Sequence, residues 1–390
     1  MNNMRKILIF SLVYYPRFIG GAEVAIKEIT DRISPDEVEF DMVTLRKHAP
    51  AFERIGNVNV YRVGLLWFGK NSKSSKIFPL SKYLFIFFAY FKALKLHRKN
   101  KYDAIWSIMA NYAGFSALFF KNKNPEVPFI LTLQEGDPFD YIRKRVGIFY
   151  STFKKIFTKA DYIQTLSNYL ADWARDMGAK CPITVVPNAV DYEHFSKPID
   201  KSVRDIIRSK DGFTDSDIVL ITTSRLVKKN AVNNVISALQ YLPSNVKFLI
   251  LGKGYEEENL KSQISDLKLT ERVQFLGFIP HEEMPKYLQA SDIFIRPSLS
   301  EGFGNSFLEA MAAGIPVITT QVGGIPDFLK DGETGLFCEV NNPKSIAQKV
   351  EKLIKDKESR EYIVRQAREM VKNKYTWEKT AGEMKKILRG

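Results

Sequence analysis

The chain has 390 residues, 45% of them hydrophobic and 26% charged, which suits a globular protein with room for two domains of ordinary size and excludes a disordered or fibrous chain. Its net charge is +14, and the excess is uneven: residues 1–190 carry 28 basic and 16 acidic side chains, residues 191–390 carry 30 and 28. Two cysteines far apart, Cys181 and Cys338, point to a reducing compartment without a disulfide scaffold, and they lack metal-ligand spacing.

Short β-branched runs open the chain. Segments 5–15, 38–45, 59–63, 104–109, 129–133, 162–166 and 183–186 read as strands, with helical patterns between most of them, such as 22–32 and 80–98. The N-terminal apolar run breaks at Ser11 with no small-residue cleavage site, so no secretory leader is expected. Strands separated by helices imply a parallel sheet covered on both faces. After a polar connection near 187–200 the series restarts at 218–223, 246–251, 273–276, 293–296, 317–320 and 336–339. The expected fold is α/β, two doubly wound Rossmann-like domains facing across a cleft. The first spans 1–190 and the second 200–374, and a helix is expected over 375–390. Ligands in such sheets sit beyond the carboxyl ends of the strands.

Between Glu53 and Asp103 no acidic residue occurs, while eleven basic ones do, from Arg54 to Lys101, and the aromatic run 83–91 lies inside that span. The run is too short to cross a bilayer. Two readings stay open: a core helix with a solvated basic end, or a helix at an anionic membrane surface. No nucleic-acid motif is present, and no nucleic-acid partner is expected.

The most informative stretch is Ser300–Glu301–Gly302–Phe303–Gly304–Asn305–Ser306–Phe307–Leu308–Glu309. A Gly-Phe-Gly turn entering a helix presents backbone N–H groups to anions and hydroxyls. Two carboxylates, Glu301 and Glu309, flank that point. The combination suits a polyhydroxylated, phosphorylated ligand such as a nucleotide sugar. Glu309 also has a second reading, because Ser306–Phe307–Leu308–Glu309 fits a capping box.

This stretch resembles the Glu-x7-Glu motif of retaining glycosyltransferase family 4, the group-1 glycosyltransferases of GT-B fold. Similar family segments follow the family's order: Val186–Pro187–Asn188, Ser224–Arg225–Leu226–Val227, Leu251–Gly252–Lys253–Gly254, Val322–Gly323–Gly324–Ile325–Pro326–Asp327 and Gly332–Glu333–Thr334–Gly335. The N-terminal half matches through Tyr15–Pro16 and Gly20–Gly21. The resemblance implies a metal-independent enzyme with no cofactor, a hexosyltransferase with a nucleoside-diphosphate-sugar donor and a hydroxyl acceptor, in a setting such as polysaccharide biosynthesis. It implies that Arg225 and a following lysine bind the donor diphosphate, with Lys229 preferred and Lys228 the alternative. It places Glu301 by the transferred sugar, Glu309 on the ribose, Gly302 beside the donor, and the N–H groups of Phe303, Gly304, Asn305 and Ser306 on sugar and phosphate. Gly20, Gly21, Gly252 and Gly254 would border the donor, and the backbone of Ile279 would meet the base. The last helix would cross back onto the first domain, anchored by Trp377.

One element departs from the family. Many relatives have a histidine after the strand matching 129–133; here Gln134–Glu135–Gly136–Asp137 follows, and no histidine occurs between 98 and 193. Gln134, Glu135 and Asp137 are therefore candidate sugar or acceptor contacts. The four histidines are scattered, so no metal site is expected. The basic first domain suggests a saccharide or lipid-linked saccharide acceptor at the cytoplasmic face of a membrane, with the protein cytoplasmic or peripheral there. A sugar phosphorylase, a nucleotide-sugar epimerase and a non-catalytic sugar-binding protein are the alternatives.

Overall fold

The computed structural model describes residues 4–16, 20–46, 49–64 and 77–390. The chain forms two compact units. Unit 1 holds residues up to Asn188 together with Trp377–Gly390, and unit 2 holds Ala189–Thr376.

Unit 1 is built on β1 (Arg5–Phe10), β2 (Val38–Leu45), β3 (Phe52–Ile55), β4 (Val58–Val63), β5 (Ala104–Ile108), β6 (Phe129–Leu133), β7 (Tyr162–Thr165) and β8 (Ile183–Val185). Their order across the sheet is β3-β4-β2-β1-β5-β6-β7-β8. Helices α1 (Gly21–Asp31), α2 (Ile77–Asn100), α3 (Tyr112–Lys123), α4 (Phe139–Val146), α5 (Tyr150–Thr158) and α6 (Asn168–Asp176) connect them. β1 and β5 are nearly continuous apolar runs because both faces of a central parallel strand are covered. The sheet is not wholly parallel: β3 pairs antiparallel with β4 through a turn at Gly56, where φ is 56°. β1 ends at Phe10, short of the expected Tyr15, because the Ser11 hydroxyl donates to the Val13 carbonyl at 2.9 Å and the chain turns.

Unit 2 contains α7 (Tyr192–Ser196), α8 (Lys201–Lys210), α9 (Val232–Ala238), α10 (Glu257–Asp266), α11 (Met284–Ala290), α12 (Asn305–Ala313), α13 (Pro343–Lys355) and α14 (Lys357–Lys374). Its strands are β9 (Ile218–Thr223), β10 (Val246–Leu251), β11 (Val273–Gly277), β12 (Ile293–Arg296), β13 (Val317–Thr320) and β14 (Leu336–Cys338). The order is β11-β10-β9-β12-β13-β14, and every pairing is parallel. Leu220, Phe248, Ile250, Ile295 and Ile318 form its core with Val235 and Val350. Each such fully buried side chain contributes roughly 1.5–3 kcal/mol of transfer free energy.

The last helix, α15 (Trp377–Arg389), belongs to unit 1. Met384, Ile387 and Leu388 join the core formed by Ile7, Ile26, Ile29 and Trp106. Trp377 is buried, the Thr380 hydroxyl donates to the Pro187 carbonyl at 3.0 Å, and Arg389 and Lys385 pair with Glu37 at 2.9 and 2.6 Å.

Apart from the β3–β4 hairpin at the edge of unit 1, the strand order reverses between β1 and β5 in unit 1 and between β9 and β12 in unit 2. Adjacent loops diverge at such a point and leave room at the carboxyl ends of the strands.

Candidate functional site

In unit 2 the switch point brings together the loops after β9 and β12. The Leu299 N–H donates to the Lys229 carbonyl at 2.7 Å, which ties the two loops. Arg225 is exposed on the first loop, and its carbonyl accepts from the buried Asn230 side chain at 2.7 Å. Lys228 to Asn230 form a single helical turn; Lys228 is exposed and Lys229 half-buried.

Gly252 and Gly254 are explained by a close approach. A Cβ on Gly252 would lie 1.8 Å from the Ser224 carbonyl oxygen, and one on Gly254 would lie 2.0 Å from that of Leu226. The loop after β10 is thus pressed onto the loop that carries Arg225, joined by the Leu226 N–H to the Lys253 carbonyl at 3.1 Å. Ile279 is half-buried beside the exposed Phe278.

The turn after β12 is organised by Arg296, a residue that the sequence did not mark. It closes a buried strand and is itself 6% exposed. Its Nη2 donates to Glu301 Oε2 at 2.8 Å, its Nη1 donates to the Ser306 hydroxyl at 2.8 Å, and its guanidinium lies 4.1 Å over the Phe307 ring. Glu301 Oε1 accepts from the Gly302 N–H at 3.1 Å. Burial pushes the Arg296 guanidinium down from its ordinary range; Glu301 and Glu309 oppose this, and the charge of Arg225 adds to it. Arg225, Glu301 and Glu309 therefore lie within electrostatic reach of one buried cation.

The backbone of Glu301 is clamped from β13's loop. The Gly324 N–H donates to its carbonyl at 3.0 Å, and a Cβ on Gly323 would lie 1.8 Å from the same oxygen. Phe303 is buried, its ring 5.3 Å from that of Phe328 and 5.9 Å from that of Tyr375. Gly304 caps α12 with φ 95°, so the capping box at Ser306 and Glu309 does not form; Asn305 opens the helix and Ser306 lies inside it. The capping reading of Glu309 is corrected by one geometric fact: the helix begins two residues earlier than that box requires. First-turn amides of a helix have no acceptor within it, and they aim outward as an anion-binding end.

Glu309 instead meets His281, whose Nε2 is 3.3 Å from Glu309 Oε1. That hydrogen bond holds the imidazole above its ordinary pKa, against the opposing effect of burial. His281 follows Phe278–Ile279–Pro280 and packs edge-on to Phe195 at 5.2 Å. In the sequence it stood as one of four scattered histidines; only the fold sets it beside Glu309.

In unit 1 the Gly20 N–H donates to Glu23 Oε2 at 2.9 Å, where α1 begins at Gly21. Glu135, at the end of β6, is buried. Its Oε1 accepts from the Ala110 N–H at 2.6 Å and its Oε2 from the Gln134 N–H at 2.9 Å. It braces the loops after β5 and β6, and burial pushes its pKa up to about 7. Gln134 and Asp137 are half-buried. Among the described residues no group of three or more His, Cys, Asp and Glu side chains could hold a metal ion.

A family model described as glycosyl transferases group 1 matches residues 203–370, and one described as glycosyltransferase family 4 matches 19–194. The chain is 28% identical to an uncharacterized glycosyltransferase of Methanocaldococcus jannaschii, over 97% of this chain and 96% of that one. It is 30% identical to a GDP-mannose-dependent monoacylated alpha-(1-6)-phosphatidylinositol monomannoside mannosyltransferase of Corynebacterium glutamicum, over 61% of this chain and 64% of that one. Among solved structures, Anabaena HepE in complex with UDP and glucose matches with a TM-score of 0.78 at 19% identity, over 98% of this chain and 99% of that one. That last likeness is one of fold.

Proposed function

From the premise that this chain belongs to the group-1 glycosyltransferases and has their GT-B fold, we propose that it is a retaining, metal-independent hexosyltransferase using a nucleoside-diphosphate sugar. The observation that carries the proposal is the constellation at the unit 2 switch point. There Glu301 is fixed by buried Arg296 at the head of α12, with Arg225 and Glu309 within electrostatic reach.

In this reading Arg225, Lys229 and the first-turn amides of α12 receive the diphosphate. A fixed guanidinium there stabilises the charge that grows on the leaving group more than it stabilises bound substrate. Glu301 accepts from hydroxyls of the transferred sugar. Glu309 accepts from the ribose, with His281 holding one of its two oxygens. The acceptor hydroxyl attacks the anomeric carbon on the face from which the diphosphate departs. The bond to the diphosphate breaks, and the departing phosphate oxygen takes the acceptor's proton. No covalent protein nucleophile is needed. The acceptor is a saccharide or lipid-linked saccharide.

The relatives' names mention GDP-mannose in one case and UDP in another, so the base is left to experiment. UDP-, GDP- and ADP-sugars are compared by thermal shift, because a ligand bound only by the native state raises the melting temperature. The stabilising donor is then incubated with saccharide and lipid-linked acceptors. Release of nucleoside diphosphate with an unchanged anomeric configuration is expected. An altered sugar with no nucleoside diphosphate released, or turnover that requires inorganic phosphate and no nucleotide, would overturn the proposal.

A further inference from the structure

Helix α2 packs Phe85, Ala89, Ala93 and Leu96 into unit 1. Its opposite face carries Leu80, Tyr83, Phe87 and Phe91, spaced as one helical stripe, and all four are exposed, Phe91 at 63%. A helix covering a sheet ordinarily turns polar residues outward. A second exposed apolar group stands on α4 and the turn after it: Tyr141, Ile148 and Phe149, with Ile148 91% exposed. The two groups are joined through α3. The rings of Tyr83 and Tyr112 meet edge-on at 5.3 Å, and the Arg145 guanidinium lies 5.9 Å from the same Tyr112 ring. Large exposed apolar side chains gathered in this way mark an interaction site.

The charge around it is predominantly basic. Helix α2 carries Lys82, Lys92, Lys95, Arg98 and Lys99 and no acidic residue. Residues 141–160 carry Arg143, Lys144, Arg145, Lys154, Lys155 and Lys159, again with none. Asp140 and Asp161 flank this segment in sequence, and Asp137 lies within electrostatic reach of Arg145.

We propose that this face of unit 1 docks on a bilayer with anionic headgroups. Ile148, Phe149 and the α2 stripe enter the boundary between headgroups and acyl chains, and the lysines and arginines around them meet lipid phosphates. A second copy of the same face is disfavoured, because it would set basic rims against each other. No described helix is long and apolar enough to cross a membrane. The inference supplies the proposed lipid-linked acceptor with a platform, yet its test reads binding alone, so it stands or falls separately from glycosyl transfer.

The full chain is sedimented with vesicles of phosphatidylcholine, and of phosphatidylcholine mixed with phosphatidylglycerol, at low and high salt. Binding to the anionic vesicles alone, weakened by salt, is expected. The double variant Ile148→Glu/Phe149→Glu changes two exposed residues and should keep the wild-type melting temperature while losing about a hundredfold in binding. Arg143→Gln and Lys144→Gln should each lose about fivefold. Ile206→Glu, a change at an exposed apolar residue of unit 2, should lose nothing. Equal binding to both vesicle types, binding to neither, or anionic binding untouched by the double variant would overturn the proposal. So would a wild-type dimer that the double variant dissociates in the absence of vesicle binding.

Discussion

Arg225 and Lys229 lie on one loop at the end of β9, and the diphosphate assignment rests on their charge. Arg225→Ala and Lys229→Ala should each reduce turnover by roughly ten- to a thousandfold, in the range seen when a preorganised donor to a developing anion is lost. Steady-state rates of the two variants check this; if Lys228→Ala proves the damaging change, the diphosphate lysine is Lys228. Arg296 acts differently, because its guanidinium is buried against Glu301. Arg296→Leu strands a carboxylate that is itself only 14% exposed and should cost about 3 kcal/mol or more. Adding Glu301→Gln should recover much of that stability but no activity, which a double-mutant cycle on urea midpoints and rates would reveal. Glu135 makes a pH prediction. Burial lifts its pKa from 4.5 to about 7, helped by Asp137 and opposed by the Ala110 and Gln134 amides. Between those values the native state holds a proton that the unfolded chain has released. Its contribution is therefore present at low pH and lost as pH rises through about 7, by about 3 kcal/mol at most. Glu135→Gln should flatten the fall in stability across that window, measured by urea unfolding on either side of it. Glu301 and Glu309 were legible in sequence because a glycine turn opening a helix has a clear local signature. Arg296 and His281 were not. An arginine closing an apolar strand and a histidine after a proline carry no local sign of their partners, which the fold supplies from 5 and 28 residues away.

The loops that hold these side chains depend on backbone conformations, and two glycines separate the causes. Gly332 has φ 75° with nothing within 4 Å of its would-be Cβ, whereas Gly323 has φ 58° and a would-be Cβ 1.8 Å from the Glu301 carbonyl oxygen. Gly332→Ala should cost about 1 kcal/mol of conformational strain and leave turnover intact. Gly323→Ala should cost more and also lower activity, because the turn bearing Glu301 must move; melting temperatures and rates for the pair would check both parts. Most strands were legible because central parallel strands are unbroken β-branched runs. β3 was not, since its Phe-Glu-Arg-Ile pattern sits at a sheet edge and buries no residue. Helix α4 differs: Phe139, Ile142 and Val146 do give it an apolar stripe at helical spacing, but the stripe is only half-buried and the helix is just 8 residues long, so the mark is short.

Across the whole molecule, unit 1 is assembled from both ends of the chain. Stopping the chain before Trp377 would uncover the part of its core that Met384, Ile387 and Leu388 fill and would strand Glu37 without Arg389 and Lys385. Such a truncation should lower the melting transition of unit 1 while unit 2, whose core contains no residue beyond Thr376, keeps its own; calorimetry with donor added to mark unit 2 would distinguish the two transitions. The same arrangement sets an order of events during synthesis. A ribosome delivers all of unit 2 before it delivers the helix that completes unit 1. The first 188 residues must wait, with a gap in their core, while the second unit is made and folds. Nascent chains halted before this helix has left the ribosome should carry a protease-resistant second unit and a first unit still open to cleavage, and chains halted after it has emerged should resist cleavage in both.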